Sequence, residues 1–191
     1  MKIGVLALQG AFIEHIHMLK KLGVEAIEVR LPADLDDIDG LIIPGGESTT
    51  IGKLAVIYNL MDPLREFAAK KAVWGTCAGM IFMAKEIGMD QPLLGVMDIV
   101  VERNAFGRQV DSFETNLEIA GLSGTDPFPA VFIRAPKLVE TKGEAQVISA
   151  LDDGTAVAAK QGHWLVTSFH PELTGDERLH KYFVDLAASL N

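Results

Sequence analysis

The sequence predicts an α/β fold in three layers, a mostly parallel sheet with helices on both faces, extended in the second half by antiparallel strands. Three observations carry that prediction. In the first half, short apolar runs alternate with helix-periodic segments, the pattern of successive parallel strands joined by crossover helices. Glycine-rich turns follow several of those runs at once. From Leu93 to Phe169 the helical period is replaced by β-rich runs between turn-formers such as Gly121, Gly124, Asp152-Asp153-Gly154 and Gly162.

The elements follow in order. Lys2 to Leu8 is an apolar run closed by Gln9-Gly10, read as the first strand. Phe12, Ile13, Ile16, Leu19 and Leu22 recur at helical spacing, and Gly23 ends that helix. Val24 to Val29 alternates as a strand, and Gly40-Leu41-Ile42-Ile43 is a third, buried one. Pro44-Gly45-Gly46 turns the chain, and Ser48-Thr49-Thr50 suits a helix N-cap. Another helix begins around Pro63, a favoured first-turn residue. Ala72-Val73-Trp74 is a fourth strand, followed by Gly75-Thr76-Cys77-Ala78-Gly79 and a helical run to about Met89. A helix from about Asp176 to Leu190 closes the chain, and residues 1–191 are expected to form one domain.

Composition excludes several functions. The chain is 49% hydrophobic and 23% charged, which is globular rather than disordered. No apolar run approaches the ~18 residues of a membrane span. The apolar N-terminus is short and lacks a small-residue cleavage site, so it reads as a strand rather than a signal peptide, and a cytoplasmic protein is expected. A net charge of −9 without a Lys/Arg cluster would repel a phosphate backbone, so nucleic acid is not an expected partner. A single cysteine rules out an internal disulfide and a Cys-rich zinc site, and neither metal nor cofactor is expected.

A lone cysteine is more often a small buried hydrophobe than a nucleophile, but the context of Cys77 favours chemistry. Gly75-Thr76-Cys77-Ala78-Gly79 is G-x-C-x-G, the thiol form of the elbow that presents a nucleophile between a strand and a helix. With 18 glycines in 191 residues, two flanking glycines have a chance of about 1%. The elbow also sets the sulfur at a helix N-terminus, whose dipole favours negative charge. Of the five histidines, His15 and His17 sit among charged neighbours and read as solvated. His163 lies at a turn, and His180 in the last helix has no carboxylate motif beside it. His170 ends an apolar strand and is followed by Pro171 and Glu172. Residues two apart in an extended chain face the same side, and Pro171 would hold that geometry, so Glu172 can orient the His170 ring and stabilise its imidazolium. Gly45-Gly46 can expose backbone N–H groups. The Ala78 N–H and one from that turn are the expected donors to an oxyanion, each worth ~10²–10³ in rate.

Together these residues resemble the class I glutamine amidotransferases, with their elbow cysteine, upstream Pro-Gly-Gly turn and distant His-Pro-Glu. The finer resemblance is to the glutaminase subunits of pyridoxal 5'-phosphate synthases. It rests on Leu8-Gln9-Gly10-Ala11 with Glu14-His15, Pro44-Gly45-Gly46-Glu47-Ser48-Thr49-Thr50, Val101-Glu102-Arg103-Asn104 running to Phe106-Gly107-Arg108-Gln109, Phe132-Ile133-Arg134-Ala135-Pro136, and Ser168-Phe169-His170-Pro171-Glu172-Leu173. The resemblance implies a class I glutaminase-like fold and a Cys77-His170-Glu172 triad. It also implies glutamine-binding positions at Gly46, Glu47, Ser48, Arg103, Ile133 and Arg134. It further implies that L-glutamine is hydrolysed to glutamate and ammonia through a glutamyl thioester. Ammonia would pass to a synthase subunit that builds pyridoxal phosphate from a pentose and a triose phosphate, within a large hetero-oligomer in which the glutaminase is nearly silent until docked. Either Arg103 or Arg134 suits the glutamine α-carboxylate. A glutaminase serving another synthase, an elbow-cysteine peptidase and a catalytically idle regulatory subunit remain alternatives.

Overall fold

A computed structural model describes residues 1–103 and 112–190. The Asn104 and Phe106-Gly107-Arg108-Gln109 part of the resemblance lies outside the described residues. The first half runs β1 (Lys2–Leu6), α1 (Phe12–Lys21), β2 (Glu25–Val29), β3 (Gly40–Ile43), α2 (Ser48–Ile57), α3 (Met61–Ala68), β4 (Ala72–Thr76), α4 (Ala78–Met83) and β5 (Ala84–Glu86). The described second half carries β6 (Met97–Glu102), β7 (Ser112–Leu117), β8 (Phe128–Ile133), β9 (Lys137–Thr141), β10 (Gln146–Ala150), β11 (Ala156–Gln161), β12 (Trp164–Thr167) and α5 (Arg178–Ala188).

One sheet runs in the order β2-β1-β3-β4-β12-β11-β9-β6-β5, with β10 pairing β11. Its β2-β1-β3-β4-β12 half is parallel, as the alternation of the first half predicts. β11 then runs antiparallel to β12, and β9 antiparallel to both β11 and β6. The β7–β8 hairpin forms a separate two-stranded sheet. Side chains alternate across the central strands and separate two cores. Leu41, Ile43, Val73 and Val166 face the α2, α3 and α4 side, against Ile51, Ala55, Leu64 and Ala68. Ile42, Trp74 and Leu165 face the other side, against Ile16 and Leu19 of α1 and Leu179 and Phe183 of α5. Phe128 and Phe132 of β8 join that second core. The result is the expected three-layer arrangement. Among the described residues, no helix is long and apolar enough to cross a membrane.

Two local expectations are corrected. The helix after the elbow ends at Met83 instead of continuing to Met89, because Ala84 pairs with Met97 as the start of β5. Ala-Lys-Glu favours a helix, but the sheet edge overrides that propensity. The cap of α2 is Glu47, whose carboxylate accepts from the Thr50 N–H at 2.8 Å, so Ser48 is the first helical residue rather than the cap.

Candidate active site

The chain leaves β1 toward β2 on one side and returns to β3 on the other, so loops diverge at the carboxyl ends of β1 and β3, where open α/β sheets bind ligands. A cavity of about 450 Å³ opens there. Of the sequence-predicted residues, Cys77, His170, Gly45, Gly46, Ala78, Glu47, Ser48, Arg103, Ile133 and Arg134 line it. Glu172 is buried behind His170. Gln9, Gly10, Ala11, Ile81 and Leu173 complete the wall. Gln9 lies just past the carboxyl end of β1, and Leu173 carries the His-Pro-Glu run onto the cavity wall, a site position not assigned from the sequence.

The elbow explains its own composition. Cys77 has φ 49° and ψ −105°, a strained conformation for a residue with a side chain. The Cys77 N–H donates to Thr167 O at 2.8 Å, which ties the turn to β12. A Cβ on Gly75 would lie 2.6 Å from the Gly79 backbone, and one on Gly79 would overlap the Ile43 carbonyl. Both flanks are therefore glycine for want of space. A Cβ on Gly45 would come within 2.5 Å of His170 Cε1, so the close approach of β3's turn to the imidazole also requires glycine.

His170 is held by its N–H donating to Val131 O at 2.8 Å. Its Nδ1 meets Glu172 Oε1 at 2.7 Å, as expected. The route differs from the expected extended one, because Pro171–Leu173 is a 3₁₀ turn with Pro171 at its start. Burial works against a charge on His170, but hydrogen bonds to Cys77 and Glu172 and their negative charge outweigh it, raising its pKa to about 10.

The expectation for His15 is overturned. It is fully buried, whereas His17 on the same helix is exposed. His15 Nδ1 lies 2.9 Å from His180 Nε2, and its Nε2 lies 3.3 Å from Thr76 Oγ1 and 3.4 Å from Glu172 Oε2. His180 is also fully buried, and Trp74 stands edge-on to both rings. Helical spacing carries the signal for this, since position 15 shares the apolar face of Phe12, Ile16 and Leu19. Burial holds His180 down to about 3, and burial, then the neighbouring His180 and His170, lowers His15 in the same direction.

These opposed shifts predict a stability optimum near pH 6.5. Depressed histidines contribute stability above the unfolded value of about 6.5 that is lost as pH falls, with a slope of about 1.4 kcal/mol per pH unit for each. The raised His170 contributes stability below about 6.5 that is lost as pH climbs toward 10. Urea unfolding at pH 5, 6.5 and 9 should show the maximum at the middle value. A His180→Leu variant should lose about 1.4 kcal/mol per pH unit of the acid-side slope, and an unchanged slope contradicts the assignment.

At the cavity mouth, Arg103 Nη2 pairs with Glu47 Oε1 at 2.8 Å, and Nη1 reaches Thr49 Oγ1 and Gln91 Oε1, both at 3.1 Å. Partial burial opposes charge on Glu47, but donors from Thr50 and Thr49 outweigh it and hold its pKa near 2. Arg134 adopts φ 42° and is exposed, without a hydrogen bond or ion pair to another described residue. The Gly45 carbonyl accepts from the Ala11 N–H at 3.0 Å. In a trans peptide the Gly46 N–H then points the opposite way. Ala78 opens α4, so its N–H is one of the donors a helix start leaves without an intrahelical partner.

The family model described as the SNO glutamine amidotransferase family matches residues 5–189. A pyridoxal 5'-phosphate synthase subunit PdxT from Herpetosiphon aurantiacus is 58% identical, across 97% of this chain and 100% of that protein. One from Dehalococcoides mccartyi is 56% identical, across 98% of this chain and 97% of that protein. A crystal structure of a glutamine amidotransferase superposes with a TM-score of 0.92 at 52% identity, covering 97% of this chain and 98% of the other.

Proposed function

The chain belongs to the SNO glutamine amidotransferase family, and on that premise we propose that it hydrolyses L-glutamine and hands the ammonia to a pyridoxal 5'-phosphate synthase subunit. The observation that carries this reading is Cys77 and His170 at one cavity wall with Glu172 bonded to His170 behind it, in a chain 58% identical to a subunit of such a synthase. Residues 1–191 act as one glutaminase domain, a reading supported by the two cores that both halves share. A cytoplasmic location belongs to the same proposal.

His170 holds the Cys77 proton as an imidazolium, the state its raised pKa favours, and the thiolate attacks the amide carbon of glutamine. The resulting oxyanion is met by the N–H groups of Gly46 and Ala78; the Gly45 carbonyl, held by Ala11, favours Gly46 over Gly45 as donor. His170 then protonates the departing nitrogen, the C–N bond breaks, and a glutamyl thioester remains. Water, deprotonated by His170, adds to the thioester and releases glutamate, returning the proton to Cys77.

The glutamine α-carbon carries an ammonium and a carboxylate, and the Arg103–Glu47 pair offers both complementary charges. We assign the carboxylate to Arg103, which Glu47, Thr49 and Gln91 pre-orient. Arg103→Ala should raise KM for glutamine about 10–100-fold with kcat nearly unchanged, and more than Arg134→Ala. An equal response of the two arginines in steady-state kinetics would reverse that assignment.

The function itself is tested by glutamate release with and without the synthase subunit. Strong stimulation by the partner is expected. No release in either condition would remove this partner from the proposal, and stimulation by a different synthase alone would replace it.

A further inference from the structure

The buried carboxylate of Glu172 has two oxygens, and the triad uses one. Oε1 meets His170, whereas Oε2 is buried and accepts no geometrically good hydrogen bond from the described residues. The group that faces it is His15 Nε2, at 3.4 Å, with both side chains fully buried. Around His15 stand His180 from α5, Thr76 and Trp74 from β4, and Glu172 and His170 from the segment after β12. The pattern has a direction. If His15 carried its proton on Nδ1, its Nε2 lone pair would face the carboxylate, and His180 would bury an Nδ1–H that meets no acceptor among the described residues. With the proton on His15 Nε2, that N–H donates to Thr76 Oγ1 at 3.3 Å with Glu172 Oε2 beside it at 3.4 Å, while Nδ1 accepts from His180 Nε2–H. His180 Nδ1 is then a bare acceptor, so neither ring buries an N–H without an acceptor.

We propose that His15 is a positioning residue, its tautomer set by His180, which holds the second oxygen of Glu172 and the Thr76 end of the nucleophile elbow in register with each other. The inference rests on the triad reading above. His15 reaches both parts of the site from a helix that carries neither, since Thr76 precedes Cys77 and Glu172 orients His170. Both imidazoles are neutral, so His15 supports the carboxylate by a dipole and leaves its negative charge available to the His170 imidazolium.

The test uses the full chain with the synthase subunit and measures glutamate release. His15→Leu should lower kcat about 10–100-fold and change KM less than about threefold. His15→Gln, which keeps a terminal N–H, should recover most of the loss. In a Glu172→Gln background the same His15→Leu change should cost less than about twofold, because residues that act through one another are not additive. An equal factor in both backgrounds, or a wild-type kcat in His15→Leu, overturns the proposal. Should His15→Leu fail to fold, His180→Leu against His180→Gln makes the same comparison, with the Gln variant expected to be the more active.

A second arm needs no glutamine turnover. The rate of Cys77 alkylation by iodoacetamide is followed against pH, and its acid limb should move to higher pH in His15→Leu and back in His15→Gln. An unmoved limb overturns the role of His15. A wild type that alkylates in this manner and releases no glutamate overturns the glutaminase reading instead.

Discussion

Replacing Cys77 with alanine is expected to lower glutamine hydrolysis by at least about 10⁴-fold while glutamine still binds. In triads that act as a unit, removing the nucleophile alone costs roughly as much as removing all three members, on the order of 10⁶ in kcat. Nothing else at the Cys77 position can attack the amide. It is the chain's single cysteine, and it is 7% exposed at the cavity wall. Binding should survive because the groups assigned to the α-carbon, Arg103 and Glu47, hold one another and Thr49 and Thr50 without contacting the elbow. Loss of the sulfur leaves the turn intact, since the backbone bond from Cys77 N–H to Thr167 O and the glycine flanks do not depend on it. Calorimetry of the alanine variant with glutamine should give a Kd within about threefold of the wild-type KM if chemistry is slow. Turnover at the wild-type rate would remove Cys77 from the mechanism. Loss of both turnover and binding would show that the sulfur shapes the cavity as well.

Why the elbow was legible and the histidine pair was not is a matter of range. Gly75, Cys77 and Gly79 are within one turn of chain, and their constraint is local backbone crowding, which a sequence window contains. The turn at Gly45-Gly46 is legible for the same reason. The central strands were legible because Leu41-Ile42-Ile43 and Val73-Trp74 are buried on both faces and read as unbroken apolar runs. His15 and His180 lie far apart in sequence and become one buried pair only when α1 and α5 pack side by side over β4. Charged neighbours on α1 masked a position that helical spacing places inward. The contact of His170 with Glu172 was anticipated from an extended geometry, yet it is made by a 3₁₀ turn. Adjacency of two partners in sequence restricted the outcome more than the assumed backbone did. Local propensity failed at α4 for the converse reason: the helix-favouring Ala84-Lys85-Glu86 is claimed by pairing with β6, a contact no short window reveals.

Glu172→Gln is the second large effect, and its cause is geometric. Both oxygens of the carboxylate face nitrogen, His170 Nδ1 at 2.7 Å and His15 Nε2 at 3.4 Å. A carboxylate can accept from both, whereas an amide of the same shape has one acceptor oxygen and one NH₂ group. If the amide oxygen turns to His170, the NH₂ meets the His15 N–H, donor against donor. If it turns to His15, His170 is pushed toward the wrong tautomer and loses the negative charge that offsets its burial. Either way the His170 imidazolium loses the carboxylate counter-charge that Glu172 supplies. A comparable amide substitution in a serine triad costs about 10⁴ in kcat with the geometry intact, so a fall of about 10³–10⁴ is expected here. Stability should change less conspicuously, by no more than about 3 kcal/mol for one frustrated buried contact. Parallel measurement of kcat and urea unfolding separates the two effects. A kcat within tenfold of wild type would mean that His170 works without a charged partner, and a cooperative unfolding transition at near-wild-type urea concentration is required for that comparison to count.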